Sequence, residues 1–342
     1  MMKRRVFALL TAVSVGTAAL AGCAGQKEET TTAAAESAQA AAAGEADGAA
    51  ESSDLEKLVV TYVTSPLNVP SIVEKSQGIF ADTFADLGIQ VEYAEITSGA
   101  DQTQALASGD VQVLYAVGAS SVILSAANGA DIKVTNMYSR SPKAFCLYTK
   151  DDSLTTPESL AGKTIAGPVG TNLHELLAAY LATADMTVDD VNYVNMSIPD
   201  AMAGLEGGSL DVAMLAGATA YQAEQLGYHL VTDGDGLIDA GIAVAVTGAF
   251  YEQHPEIMER LEAAQQAIAG FMENNHEETV ELVAAELDLD GEAVESMYGA
   301  YDFSLEVTDA DRAGFQKTAD FMLEAGMIEN ELDVNSLFVS AE

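Results

Sequence analysis

Apolar residues in this chain follow two rhythms. Between positions 58 and 246, short apolar runs rich in β-branched and aromatic residues recur at 58–63, 89–95, 111–116, 132–138, 145–149, 164–166, 191–194, 212–215, 228–231 and 242–246. Runs of this kind, bounded by Gly, Asn, Asp and Ser, predict strands. The segments between them place apolar residues three and four apart, as in Leu173, Leu176, Leu177, Tyr180 and Leu181, which is the stripe of an amphipathic helix. Helix stops follow at Ser108-Gly109, Asn128-Gly129 and Gly207-Gly208. Strands alternating with helices predict an α/β fold on mainly parallel sheets.

Past Val246 the rhythm changes. Pro255 opens a long helix through Ile257, Leu261, Ala264, Ile268 and Phe271, and helical patterning continues to about Met327. The C-terminal third is therefore mostly helical. Two sets of βα units and a helical tail predict two lobes, the first from residues 56–149 plus 247–342 and the second from 150–246. The chain then crosses near 149–152 and 245–247. In open α/β sheets a ligand sits beyond the carboxyl ends of the strands, so two such lobes would enclose it in the cleft between them, about a hinge.

The first 54 residues follow neither rhythm. Lys3, Arg4 and Arg5 precede an apolar stretch from Val6 to Leu20, closed by Leu20-Ala21-Gly22-Cys23. A basic start, an apolar stretch and small residues describe a secretory signal over 1–22. The stretch has 15 residues and contains Thr11, Ser14, Gly16 and Thr17, too short and too polar for the ~20 apolar residues of a membrane span. A cysteine directly after the small residues resembles a lipobox. That resemblance implies cleavage before Cys23, lipidation of its thiol and an extracytoplasmic protein tethered to the cell membrane. Residues 24–54 are almost wholly Ala, Gly, Ser, Thr, Gln and Glu. They offer too little apolar surface to offset the entropy of ordering, so 23–55 reads as a flexible linker.

Charge narrows the partners. The chain carries 53 acidic and 14 basic side chains, a formal charge of −39, and loss of Lys3, Arg4 and Arg5 with a leader makes it more negative still. Nucleic-acid binding needs clustered Lys and Arg and is excluded as a function class. Repulsion from anionic lipid leaves the acyl chain as the membrane anchor. With Cys23 lipidated, Cys146 stands alone and no disulfide framework is available.

Three segments share one design, a strand running into a loop of small polar residues that opens a helix. They contain Ser98, Gly99 and Gln102; Gly118, Ala119, Ser120 and Ser121; and Thr171, Asn172 and His174. Helix starts present free N–H groups and the positive end of the macrodipole, so they hold an anion without a full positive charge. A fourth loop, stiffened by Pro66 and Pro70, offers Ser65 and Asn68. Arg140 and Lys143 follow a strand, and each is either an anion contact or a solvated loop charge. His174 either donates to a ligand or completes a helix cap.

The order of these pieces resembles the solute-binding proteins of ABC importers of the nitrate, sulfonate and taurine type, a family that includes binders of thiamine-pyrimidine precursors. The marks are Ala105-Leu106-Ala107-Ser108-Gly109-Asp110-Val111, Gly118-Ala119-Ser120-Ser121, Ser159-Leu160-Ala161-Gly162-Lys163-Thr164, Gly170-Thr171-Asn172-Leu173-His174 and Thr247-Gly248-Ala249-Phe250-Tyr251. The resemblance implies a two-lobed, type II periplasmic-binding-protein fold, a small, anionic ligand enclosed by hinge closure, no cofactor, a monomeric state, and a permease with its ATPase as partners. It carries over Ser65, Asn68, residues 98–102 and 118–121, Thr171 and His174 as ligand contacts. Leu215-Ala216-Gly217-Ala218 departs from it, because relatives often place bulkier residues after that strand. Gly217 is retained as a contact.

Two other readings remain. The resemblance also admits a pyrimidine precursor as ligand, although without Trp a stacked ring would need Tyr or Phe. A sensory lipoprotein without transport would share the same cleft. An enzyme is disfavoured. No Gly-x-Ser-x-Gly occurs, His276-Glu277-Glu278 lacks a second zinc histidine, and the four histidines are scattered. The pyrimidine synthases that share this fold use a cysteine-rich motif, which Cys146 alone does not supply. Asp233-Gly234-Asp235-Gly236 and Asp288-Leu289-Asp290-Gly291 break calcium-loop spacing and read as turns.

Overall fold

The structure is a computed structural model that describes residues 55–339. The expected leader, Cys23 and nearly all of the expected linker lie outside them. All ten expected strands form: β1 Lys57–Thr61, β2 Gln90–Ala94, β3 Leu114–Gly118, β4 Lys133–Arg140, β5 Phe145–Thr149, β6 Thr164–Gly167, β7 Asn192–Asn195, β8 Val212–Ala216, β9 His229–Asp233 and β10 Gly241–Val246.

They assemble into two lobes. In the first, β1 and β2 pair in parallel, and β3-β10-β4 make a three-stranded sheet. The two pieces meet through a parallel bridge between Val60 and Val113. The second lobe is a single sheet in the order β7-β6-β8-β5-β9. Each sheet is covered on both faces, and strand alternation shows it. Leu58, Val60, Val244 and Val246 enter one core while Val59, Ala243 and Ala245 enter the other. In the second lobe Leu147, Val212 and Met214 face one core and Cys146, Ala213 and Leu215 face the opposite one. Burial on both faces is why these strands read as continuous apolar runs rather than alternating ones.

The sheets are mixed rather than mainly parallel. β10 runs antiparallel to β3 and β4, and β5 antiparallel to β8 and β9. Each is the strand that arrives from the other lobe, so it enters its sheet from the crossing side and runs against the βα strands already there. The crossings accordingly fall one strand earlier than the pattern suggests, at 141–144, where Pro142–Ala144 forms a short turn, and at 234–240. Apolar periodicity identifies 145–149 and 242–246 as strands but does not say which sheet they join.

The C-terminal helices divide between the faces of the first sheet. Pro255–Asn274 buries Ile257, Leu261, Ala264, Ile268 and Met272 in one core. Asp309–Glu324 buries Phe315, Ala319 and Met322 in the other. The acidic glycine motifs are turns: Asp233 Oδ1 accepts from the Asp235 amide at 2.9 Å, and Asp290 caps the helix Gly291–Tyr298 by accepting from the Ala293 amide at 2.7 Å.

Candidate functional site

Because β1 is parallel to both β2 and β3, the loops that follow these strands share one edge of the first lobe. The loops after β6, β7 and β8 share one edge of the second by the same argument. The two edges face each other. Gly217, directly after β8, lies against the Pro66 backbone after β1, and a β-carbon on Gly217 would come within 2.7 Å of Pro66 Cα. Its backbone, φ 56° and ψ −131°, is also one that glycine alone adopts easily. This explains why the bulkier residue expected after β8 is absent, and it gives Gly217 a role in lobe approach.

The first edge is built tightly. Gly99 opens the helix Gly99–Ser108 directly beside Ser121, whose Cβ would lie 2.8 Å from a β-carbon on residue 99. Ser98 caps this helix by accepting from the Asp101 amide at 3.4 Å. Gln102 is buried, donates through Nε2 to the Ile96 carbonyl at 2.8 Å and leaves Oε1 without a partner. The helix Ala119–Ala127 starts at Gly118, with Ala119 and Ser120 buried. Just before it Ala116 takes φ 81°, and the β3/β10 register shifts there. A bulge with a non-glycine residue at positive φ costs roughly 1–3 kcal/mol, and it turns the end of β3 into the helix start. Ser65 and Asn68 serve their own loop: the Ser65–Pro66 peptide is cis, and Asn68 Nδ2 donates to the Ser65 carbonyl at 3.2 Å.

On the second edge, the helix Asn172–Ala182 is buried from Asn172 through Leu177, more fully than one apolar stripe predicts. Thr171 Oγ1 donates to the Pro168 carbonyl at 2.9 Å. His174 stacks on Tyr193 with ring centres 5.0 Å apart, and its Nδ1 accepts from the Gly170 amide at 3.3 Å. Burial lowers its pKa below the usual imidazole value. The ring is therefore a neutral donor with its proton on Nε2, not a cation.

Arg140 is not a free anion ligand. Its Nε and Nη2 donate to the two carboxylate oxygens of Asp311, Nη1 donates to the Ser304 carbonyl at 2.8 Å, and Nη2 also reaches the Glu306 carbonyl at 2.7 Å. Lys143 pairs with Asp235 at 3.3 Å. The same holds for every other lysine and arginine among the described residues. Lys57 meets Glu92, Lys163 meets Asp211, Arg260 meets Asp86 and Lys317 meets Asp239. Lys133 and Lys150 donate to the carbonyls of Ser336 and Glu206. Lys75 lies over the Tyr62 ring and Arg312 over the Phe338 ring. An anion between the two edges would thus meet helix-start N–H groups and small polar side chains rather than a lysine or arginine.

A cavity of about 480 Å³ beside the crossings reaches both Ala119 and Arg140. Its walls carry Asp235, Asp239, Asp302 and Asp311 against Arg140 and Lys317, a balance that repels anions. No group of three or more His, Cys, Asp or Glu side chains able to hold a metal ion occurs among the described residues. Tyr193, Glu175 and Thr318 are the structural participants that the sequence pattern did not single out. The one available signal was Glu175, a carboxylate set in the apolar run Leu173-His174-Glu175-Leu176-Leu177.

Two α/β lobes, two crossings and helix starts on facing edges define a periplasmic-binding-protein fold. The chain belongs to the NMT1/THI5-like family, which matches residues 65–278. It is 26% identical over 274 residues to the "Putative aliphatic sulfonates-binding protein" of Bacillus subtilis (strain 168), covering 78% of this chain and 82% of that protein. It is 30% identical over 205 residues to the taurine-binding periplasmic protein of Escherichia coli (strain K12), covering 59% and 62%. Among solved structures, the alkanesulfonate-binding protein SsuA from Xanthomonas axonopodis pv. citri bound to MOPS superposes with a TM-score of 0.76 at 19% identity, over 84% of this chain and all of that one. The named relatives are binding proteins rather than enzymes.

Proposed function

We propose that this chain is the solute-capturing component of an ABC importer and takes a small oxyanion, a sulfonate first of all, between the facing lobe edges. The carrying observation is the combination of helix starts on both edges with the engagement of every described lysine and arginine elsewhere. Such a site holds an anion by backbone N–H groups, by Ser120 and Ser121, and by the His174 Nε2–H. The names of the relatives support a sulfonate or taurine over nitrate. A ligand touching both edges stabilises the closed arrangement by its differential affinity, and the closed form is what a permease would recognise.

Cys23 completes the reading as a lipid anchor that keeps a monomeric, extracytoplasmic binder beside its permease and ATPase, with residues 24–54 as the tether. Calorimetry on the chain from Ala24 onward, with ethanesulfonate, taurine, nitrate, bicarbonate and a hydroxymethylpyrimidine, tests the ligand class. One-to-one binding of a sulfonate without turnover is the expected result. Binding of the pyrimidine alone overturns it. Incorporation of labelled palmitate that disappears in Cys23→Ala tests the anchor.

A further inference from the structure

The lobes meet at a second place. Glu175 lies in the first turn of the helix Asn172–Ala182, which packs on the second sheet, and Thr318 lies in Asp309–Glu324, which packs on the first. Thr318 Oγ1 donates to Glu175 Oε1 at 2.9 Å. Glu175 is only 3% exposed, and its Oε2 is buried without a hydrogen-bond partner. Both ends of this bond are buried. A cleft of about 520 Å³ is lined by Ala178, Ala182 and Phe321 among others, and the cavity of about 480 Å³ reaches Thr318.

A charged carboxylate with a bare oxygen is poorly accommodated in such a seam, and protonation removes that charge. Burial lifts the Glu175 carboxyl to about 7; the Thr318 hydrogen bond and Lys317 pull it down, and Asp239 from the second crossing pushes it up. His174, next to it in the chain, is held neutral by burial. Parting of the lobes would give Glu175 back to water and to the ordinary carboxylate range.

We propose that the Glu175–Thr318 bond is a proton-linked latch: the lobes close with uptake of one proton at Glu175, so acid favours the closed form. The latch rests on the reading that ligand is held between the lobes. Closure is most favoured below the ordinary carboxylate range, and the advantage is lost as pH rises through about 7. The ratio of closed to open forms should fall by roughly tenfold or more between pH 5 and pH 8.

The test places a dye pair on exposed Asp110→Cys and Asp189→Cys, one in each lobe, in the chain from Ala24 onward. The interlobe distance is followed from pH 5 to pH 8.5, first without ligand and then with ethanesulfonate. In the parent chain the distance should lengthen as pH rises, whereas Glu175→Gln should stay closed throughout. Thr318→Val, which keeps the carboxyl and removes the donor across the seam, should open at lower pH than the parent. A flat profile in the parent, or an unchanged slope in Glu175→Gln with native circular dichroism, overturns the latch. If Glu175→Gln does not fold, the Thr318→Val shift decides: no shift overturns the proposal. Failure of ethanesulfonate to bind is a separate result that counts against the sulfonate reading alone.

Discussion

Gly217 and the Pro66 backbone are in direct contact across the two lobes, so closely that a β-carbon on residue 217 would lie 2.7 Å from Pro66 Cα. Pro66 belongs to a loop stiffened by Asn68, so the loop cannot simply move aside. Gly217→Ala should therefore hold the lobes apart, with about 1–3 kcal/mol of backbone strain added by the positive φ. Sulfonate affinity should drop at least tenfold by calorimetry, while far-ultraviolet circular dichroism stays native. Unchanged affinity would show that the contact does not limit closure.

The contact between Gly99 and Ser121 makes a reciprocal prediction. Gly99→Ala pushes a methyl into the Ser121 side chain and should lower the midpoint of thermal unfolding. Removing that side chain in Gly99→Ala/Ser121→Gly should recover part of the loss, because residues in contact couple by roughly 0.5–3 kcal/mol. Strict additivity in a double-mutant cycle would place the strain elsewhere.

Arg140 should prove a stability residue rather than a ligand contact. Asp311 is nearly buried, and removal of its partner in Arg140→Met leaves an unpaired charge there, a loss of about 3–5 kcal/mol for fully buried pairs and less at this partly exposed end. Burial pushes the Asp311 carboxyl up, but hydrogen bonds from Arg140 and Thr308 outweigh it and hold the pKa below the usual range. Its contribution is therefore present above that range and lost as pH falls through the depressed value. Urea unfolding at pH 7 and pH 3 should show a larger penalty for Arg140→Met at pH 7. Sulfonate affinity of the folded variant at pH 7 should match the parent.

Glu74 titrates with the opposite sign. It is buried in the helix Val69–Gln77, where it accepts from the Phe80 amide at 3.1 Å and the Tyr93 hydroxyl at 2.8 Å. Burial lifts its carboxyl to about 7, although those two hydrogen bonds pull it down. The protonated form thus favours folding most below the ordinary carboxylate range, and the benefit fades as pH rises through about 7. Thermal unfolding of Glu74→Gln between pH 5 and pH 8.5 should have a shallower slope than the parent. An identical slope would remove Glu74 as its source.

Much of this was legible in the chain. The strand runs at 145–149 and 242–246 are visible as apolar runs, and the stops at Gly109 and Gly208 fall where those residues take positive φ. The small polar loops around Gly99, Ser120 and Thr171 were identifiable as helix starts because capping is a local property. Arg140 was not readable in the same way. Its partners Ser304, Glu306 and Asp311 lie more than 160 residues away, and no local pattern distinguishes a cation engaged at long range from one facing a ligand. His174 was equally ambiguous, since its charge depends on burial against Tyr193 and Phe321.

The sequence by itself determined the α/β alternation, the helical C-terminal third, the polar helix starts and the leader pattern ending at Cys23, all properties of neighbouring residues. Tertiary structure alone decided which sheet β5 and β10 join, how closely Gly217 approaches Pro66, and that Glu175 meets Thr318 across the seam. Those depend on strand direction and on contacts between residues far apart in the chain. Periodicity records which side of an element is apolar, but not what comes to lie against it.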